Sequence, residues 1–262
     1  MKIRMLIENT ACAPELACEH GLSLYIETGK HKVLFDTGQT GAFAENARRL
    51  GADLADVDLC VLSHGHYDHG GGLLRFFEEN KRAKVYLSEH AFCSCWHGER
   101  YIGLDEALRG NDRLVPVREE TPLGEGLVLR PGAKIELRSP LSGEGLTVLK
   151  NGRQVQDDFR HELYLSIVEG GKHVLISGCS HRGILNIMPH FRPDVLVGGF
   201  HFMKEDPHGE GKERLLAAAR ELMGYDAIYY TCHCTGEEQF ALLHSVMGER
   251  LRYFSGGMTL EI

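Results

Sequence analysis

No run of about 20 apolar residues occurs in the chain, so nothing in it reads as a membrane-spanning helix. Met1 to Leu6 lead straight into Glu8 and Asn9, without the apolar stretch of about 7–15 residues that a secretion signal requires. Basic excess is also missing. Against 37 acidic residues stand 29 basic ones, a formal charge of −8, which argues against a surface that coats nucleic acid and leaves room only for a local basic pocket. No Gly-x-Ser-x-Gly elbow and no phosphate-binding P-loop pattern is found, which removes the serine-hydrolase and nucleotide-triphosphatase readings. No internal repeat stands out, and tryptophan occurs once, at Trp96. Eight cysteines without a leader read as reduced thiols in a cytoplasmic protein.

What the chain has is concentrated. Leu59-Cys60-Val61-Leu62 is an apolar run, and Ser63-His64-Gly65-His66-Tyr67-Asp68-His69-Gly70-Gly71-Gly72 follows it directly. His64 and His66 are two apart, so in extended backbone they point to one side. Asp68 and His69 fall where the glycines allow the chain to turn into a helix. Unpaired, so many polar groups in a small volume would carry a large desolvation cost. The spacing therefore predicts a metal-binding turn with ligand sets for two ions. A solvated histidine-rich tract is the bland alternative, but such tracts lack a buried strand before them.

Around that turn the elements alternate. Ile3 to Ile7, Leu22 to Glu27, His31 to Phe35, Leu59 to Leu62 and Ala83 to Leu87 read as strands. Helices are expected over Gly41 to Leu50 and Gly72 to Glu79. A second series places strands at Leu163 to Val168, His173 to Ile176, Val195 to Val197 and Ala227 to Tyr230, with a helix from Gly211 to Met223. Two α/β halves flanking an irregular insert at about 89–157 suit a sandwich of two sheets with outer helices. The 43% apolar content can build a sizeable core in one domain over residues 1–262, so metal is required for chemistry rather than for a minimal fold.

The His-x-His-x-Asp-His turn after a strand resembles the signature of the metallo-β-lactamase superfamily, and Leu34-Phe35-Asp36-Thr37-Gly38 resembles its first motif. The resemblance implies an αββα sandwich of two mixed sheets and a hydrolase with one or two metals. Ile176-Ser177-Gly178-Cys179-Ser180-His181, Gly198-Gly199-Phe200-His201 and Cys232-His233-Cys234-Thr235-Gly236 look like one subgroup. That subgroup includes proteins similar to dihydropterin ribofuranosyl-aminobenzene phosphate synthase.

From this follows an expected ligand set of His64, His66, Asp68, His69, Cys179, His181 and His233. Cys179 stands where relatives carry a bridging Asp, and a thiolate there favours zinc or iron over magnesium. Two divalent ions are expected, zinc first, with iron or manganese as alternatives. The third ligand of the first ion is read as His181, with Asp158 and His161 in reserve. Asp68 and His201 are the catalytic candidates, Asp68 orienting a metal-bound hydroxide and His201 touching substrate or moving a proton. His20, His31, His90, His173, His190, His208 and His244 are assigned no role. Cys93 and Cys95 read as buried or incidental thiols rather than a metal site, while Arg100 and the aromatic residues near it could hold a ring or an anion or serve packing alone. The expected function is hydrolysis of a small phosphoester or ester, with a synthase-like condensation and a non-catalytic metal-binding protein as alternatives. The partner is a small-molecule substrate, with no nucleic acid and no membrane.

Overall fold

The computed structural model describes all 262 residues. Two seven-stranded mixed sheets form its centre. The first runs, in spatial order, Thr259–Glu261, Lys2–Ile7, Ser23–Glu27, Lys32–Phe35, Leu59–Val61, Lys84–Ser88, Leu114–Val117. Its early pairs are antiparallel and it turns parallel from Lys32–Phe35 onward. The second runs Leu251–Tyr253, Ile228–Thr231, Val195–Val197, Lys172–Ile176, Leu163–Glu169, Leu127–Pro131, Thr121–Gly124, and mirrors that change of direction.

Period-two alternation sorts the strands into layers. Val33 and Phe35, Leu59 and Val61 face the 22-residue core between the sheets, where they meet Leu165, Ile167, Val174 and Ile176. Leu34, Cys60 and Leu62 point the other way, onto Phe43 of helix Ala42–Arg49 and Phe76 of helix Leu73–Glu79. On the far side Leu175, Leu196 and Tyr229 pack against helices Ile184–Phe191, Gly211–Leu222 and Glu237–Met247. The layering is the helix–sheet–sheet–helix sandwich expected from the sequence.

The expected strands and helices recur with ends moved by one or two residues. The stretch 89–157 differs from its reading as an irregular insert, because it is rich in strands. Leu114–Val117 ends the first sheet, and its Pro116, which has no amide to donate, is tolerated on an edge strand. Thr121–Gly124 and Leu127–Pro131 extend the second sheet. Arg153–Gln156, Leu146–Lys150, Cys95–His97 and Arg100–Tyr101 make a separate four-stranded sheet. That small sheet packs its own cluster of Cys95, Ile102, Leu146, Val148 and Phe159. Cys93 and Cys95, read as incidental thiols, are joined in a disulfide, while the other six cysteines are free. No helix is long and apolar enough to cross a membrane.

Candidate metal centre

The parallel strands of both sheets end at one place, and their following turns carry the polar residues. Four non-glycine residues there take left-handed backbone: Asp36 (φ 60°), Ser180 (58°), His201 (55°) and His233 (49°). Such conformations are costly unless surroundings enforce them, and they gather where side chains must be aimed. Gly178 shows why the cradle is tight. A Cβ on it would run into the Ser63 side chain and come within 3.2 Å of His64 Nδ1. The backbone amide of Leu163 donates to the Ser63 carbonyl at 2.6 Å, tying the ends of the two sheets together.

The chain brings together His64, His66, Asp68, His69, Cys179, His181 and His233, all buried. The rings of His64, His66 and His181 lie 4.5–5.0 Å apart by their centroids, forming one triangle. The donor atoms of His64, Cys179 and His181 fall within 4.8 Å of one another, and so do those of His69, Cys179 and His233. Cys179 belongs to both groups, which is the position of a ligand shared between two ions. Asp68 Oδ2 lies 3.4 Å from His233 Nε2 and 3.7 Å from His69 Nε2.

Four of the ligand imidazoles, those of His64, His69, His181 and His233, are oriented from behind. Ser63 Oγ donates to Asp36, so it is left to accept from His64 Nδ1 at 2.8 Å. His69 Nδ1 donates to Asp36 at 2.7 Å, His181 Nδ1 to the Ser142 carbonyl at 2.9 Å, and His233 Nδ1 to Asn9 Oδ1 at 2.7 Å. With the proton on Nδ1, the lone pair sits on Nε2, and partners of this kind fix tautomer and ring orientation in metal sites. The Nε2 atoms of His64, His66, His181 and His233 are buried and have no hydrogen-bond partner. Buried polar atoms left unpaired in a native fold call for a reason, and a divalent cation supplies one. The donor set therefore fits divalent metal, with His64 and His181 grouped on Cys179, His69 and His233 grouped on it too, Asp68 beside His233, and the His66 ring against those of His64 and His181.

Burial, reinforced by neighbouring imidazoles, holds His64 and His181 well below the usual histidine range and brings His66 to about 3 and His233 to about 4. Those neutral rings are ligands as they stand, whereas at His69 burial is outweighed by the Asp36 and Asp68 carboxylates, which raise the ring above the usual histidine range, so an ion must displace its proton. Burial opposes charge on Asp68 too, but His69, His20 and His233 outweigh it and hold the carboxyl well below its usual range. The Cys179 thiol is pushed well up by burial and by Cys234, so an ion must displace its proton.

The reserves Asp158 and His161 are not free for metal. His161 Nδ1 accepts from the Gly65 amide and its Nε2 donates to Asp157, both at 3.0 Å. Asp158 pairs with Arg160 at 2.6 Å and Lys150 at 3.3 Å. His20, to which the sequence assigned nothing, is a correction: its Nε2 lies 3.2 Å from Asp68 Oδ2, and its ring is 4.8 Å from that of His233. Three carboxylate or amide groups behind the site were also missed. Glu8 accepts from the His233 amide at 3.1 Å and from Tyr253, Asn9 holds His233, and Glu162 accepts from the amides of His181 and Arg182 at 2.6 and 2.8 Å. Glu8 and Asn9 stand at the end of an apolar strand, the one local signal they carry.

His201 does not join the ligand groups. Its ring centre lies 4.2 Å from that of His181 with the two planes tilted by 52°, and it lines two cavities. One, of about 480 Å³, is the metal chamber, with His20, Arg100, His97 and Lys204 at its walls. The other, of about 520 Å³, is lined by Pro140, Leu141, Ile184, Phe202 and Leu215 among others. Burial first, then His233 and Lys204, bring His201 down to about 3.

A two-sheet sandwich whose strand ends gather buried His, Asp and Cys side chains is the metal-dependent hydrolase fold. The model of the metallo-beta-lactamase superfamily matches residues 17–231, and the chain belongs to that superfamily. Tm1679, described as a metal-dependent hydrolase of the beta-lactamase superfamily, superposes with a TM-score of 0.86 at 31% identity over 100% of this chain and 99% of its own. The uncharacterised protein MJ0448 of Methanocaldococcus jannaschii is 30% identical, covering 89% of this chain and 90% of its own. From the same organism, 7,8-dihydropterin-6-methyl-4-(beta-D-ribofuranosyl)-aminobenzene-5'-phosphate synthase is 30% identical over 83% of this chain and 81% of its own. Members of the superfamily typically bind divalent metals.

Proposed function

We propose that this chain is a metal-dependent hydrolase of a small phosphoester or ester substrate. The observation that carries the reading is the set of four buried imidazole nitrogens without partners, three of them, on His64, His181 and His233, grouped with Cys179. Two divalent ions bound there would lower the pKa of a water from about 15.7 towards 7 and polarise the oxygen of the bond it attacks. Asp68, kept ionised by its neighbours, accepts a hydrogen bond from the attacking water and orients it. His201 is neutral at physiological pH, so it acts through its ring N–H, donated to oxygen charge that develops on the substrate, and not as an imidazolium acid. The chamber of about 480 Å³ suits a small molecule.

The similarity to the synthase favours a second reading, a condensing enzyme that uses the same ions to steady a phosphate leaving group. Protein purified without chelator is expected to carry close to two transition-metal ions. Less than about half an equivalent, not regained on soaking, rejects both readings. Incubating the loaded protein with phosphodiesters, cyclic phosphates, thioesters and lactones, then with the two synthase substrates, separates them. Turnover of the synthase pair alone would overturn hydrolysis. No turnover anywhere would favour a metal-binding protein.

A further inference from the structure

The rim of the metal chamber carries cations that the chemistry above does not use. Among the residues lining it, Asp68 is the only acid and faces the ligand set, whereas Arg100 and Lys204 are basic. Neither has a carboxylate within 4.0 Å, although nearby Arg109 and Arg214 are paired with Glu106 and Glu205. In a chain of net charge −8, two uncompensated cations share one cleft.

Three groups are contiguous there. Strands Cys95–His97 and Arg100–Tyr101 pair with His97 opposite Arg100, and Lys204 Nζ reaches His97 Nε2 at 3.2 Å. The Arg100 guanidinium lies 4.7 Å from the centre of the Tyr67 ring, between the ligands His66 and Asp68 in sequence. Stacking holds its planar fork in place without neutralising it. The one side-chain partner of Lys204 is His97, and no carboxylate lies close enough to offset its charge. Such a combination, a fixed fork beside a mobile ammonium, matches an oxyanion with several acceptor atoms.

We propose that Arg100, Lys204 and His97 form a subsite for a phosphate group carried by the substrate away from the reacting bond. This rests on the hydrolase reading and narrows it to organic phosphates held at two points. The second point frees the metal chamber for the bond to be cleaved.

The test is calorimetry of the zinc-loaded full chain with phenyl phosphate, repeated after zinc removal, alongside the variants Arg100→Met, Lys204→Met and the pair. The native chain is expected to bind phenyl phosphate in both states. The double variant should bind at least tenfold more weakly, with zinc content unchanged. Affinity of the native chain should also fall more steeply with salt, since exposed charges are screened. Binding within twofold in the double variant, or none by the native chain after zinc removal, overturns the subsite. Benzoate bound as tightly as phenyl phosphate overturns the assignment to phosphate. Failure of the hydrolase reading is seen separately, as missing zinc or as turnover of the synthase pair alone, and leaves the titration of the metal-free chain as a direct reading of the subsite.

Discussion

The floor and the mouth of this cleft are built on opposite terms. On the floor, each of His64, His69, His181 and His233 is buried and held by a partner, His64 by its neighbour Ser63 and the other three by residues from other turns of the sandwich. At the mouth, His97, Arg100 and Lys204 are exposed, and a small sheet with a five-residue cluster supports two of them. The floor can change little, because every donor is part of a network that loses a buried hydrogen bond when one member goes. The mouth can change much, since its residues are anchored by little else. Such a division lets one metal chemistry serve different substrates, with loops and added strands setting specificity on a fixed scaffold.

The largest effect that would expose this division is loss of a floor ligand. His64→Ala or His181→Ala should drop zinc from about two per chain towards one and cost more turnover than any change behind the ligands. Metal analysis together with activity checks it, and retention of both ions would show the floor to be redundant. Next comes the layer behind. Asn9→Ala leaves His233 Nδ1 without its acceptor and should weaken zinc binding by about 10–100-fold, the usual range for such partners. A chelator-competition titration reads this directly.

The pH dependence of metal uptake sharpens the comparison within the floor itself. The ligand histidines shifted down, such as His66 at about 3 and His233 at about 4, are already unprotonated near neutrality. Cys179 is shifted up, so its proton must leave when an ion binds. His69 is shifted up as well, since its burial is outweighed by Asp36 and Asp68, so its ring also gives up a proton. Zinc affinity should therefore rise with pH between 6 and 8, by at least about tenfold per unit, with the thiol and the His69 ring both contributing. In Cys179→Ser that slope should flatten. An equal slope in both proteins would take the thiolate out of the ligand set. Cys179→Asp should keep two ions and accept harder metals, since a carboxylate is the harder ligand.

The smallest effect is expected at the mouth. Cys93 and Cys95 are two residues apart, so their disulfide closes almost no loop, and Cys93→Ser should lower stability by at most about 1–2 kcal/mol. Thermal unfolding measures it, with zinc content unchanged. A loss of zinc in that variant would mean that mouth and floor are one unit after all.

Local chemistry wrote the central turn into the sequence. A buried strand, two histidines at period two, and glycines permitting a turn are relations among neighbours, so residues 59–72 can be read without a fold. The layers were legible for the same reason, since Val33, Leu34 and Phe35 alternate between two cores whatever lies on the far side. The strands of 89–157 were harder to read. They are short, several are exposed, and Gly and Pro interrupt them, so periodicity has too few residues to register. Only the tertiary structure decided which groups stand behind the ligands. Asn9 reaches His233 across 224 positions and Ser142 reaches His181 across 39. Likewise, only folding showed that His161 is already satisfied and that His20 touches Asp68. A hydrogen bond depends on distance in space, and spacing along the chain constrains that distance only within a few residues.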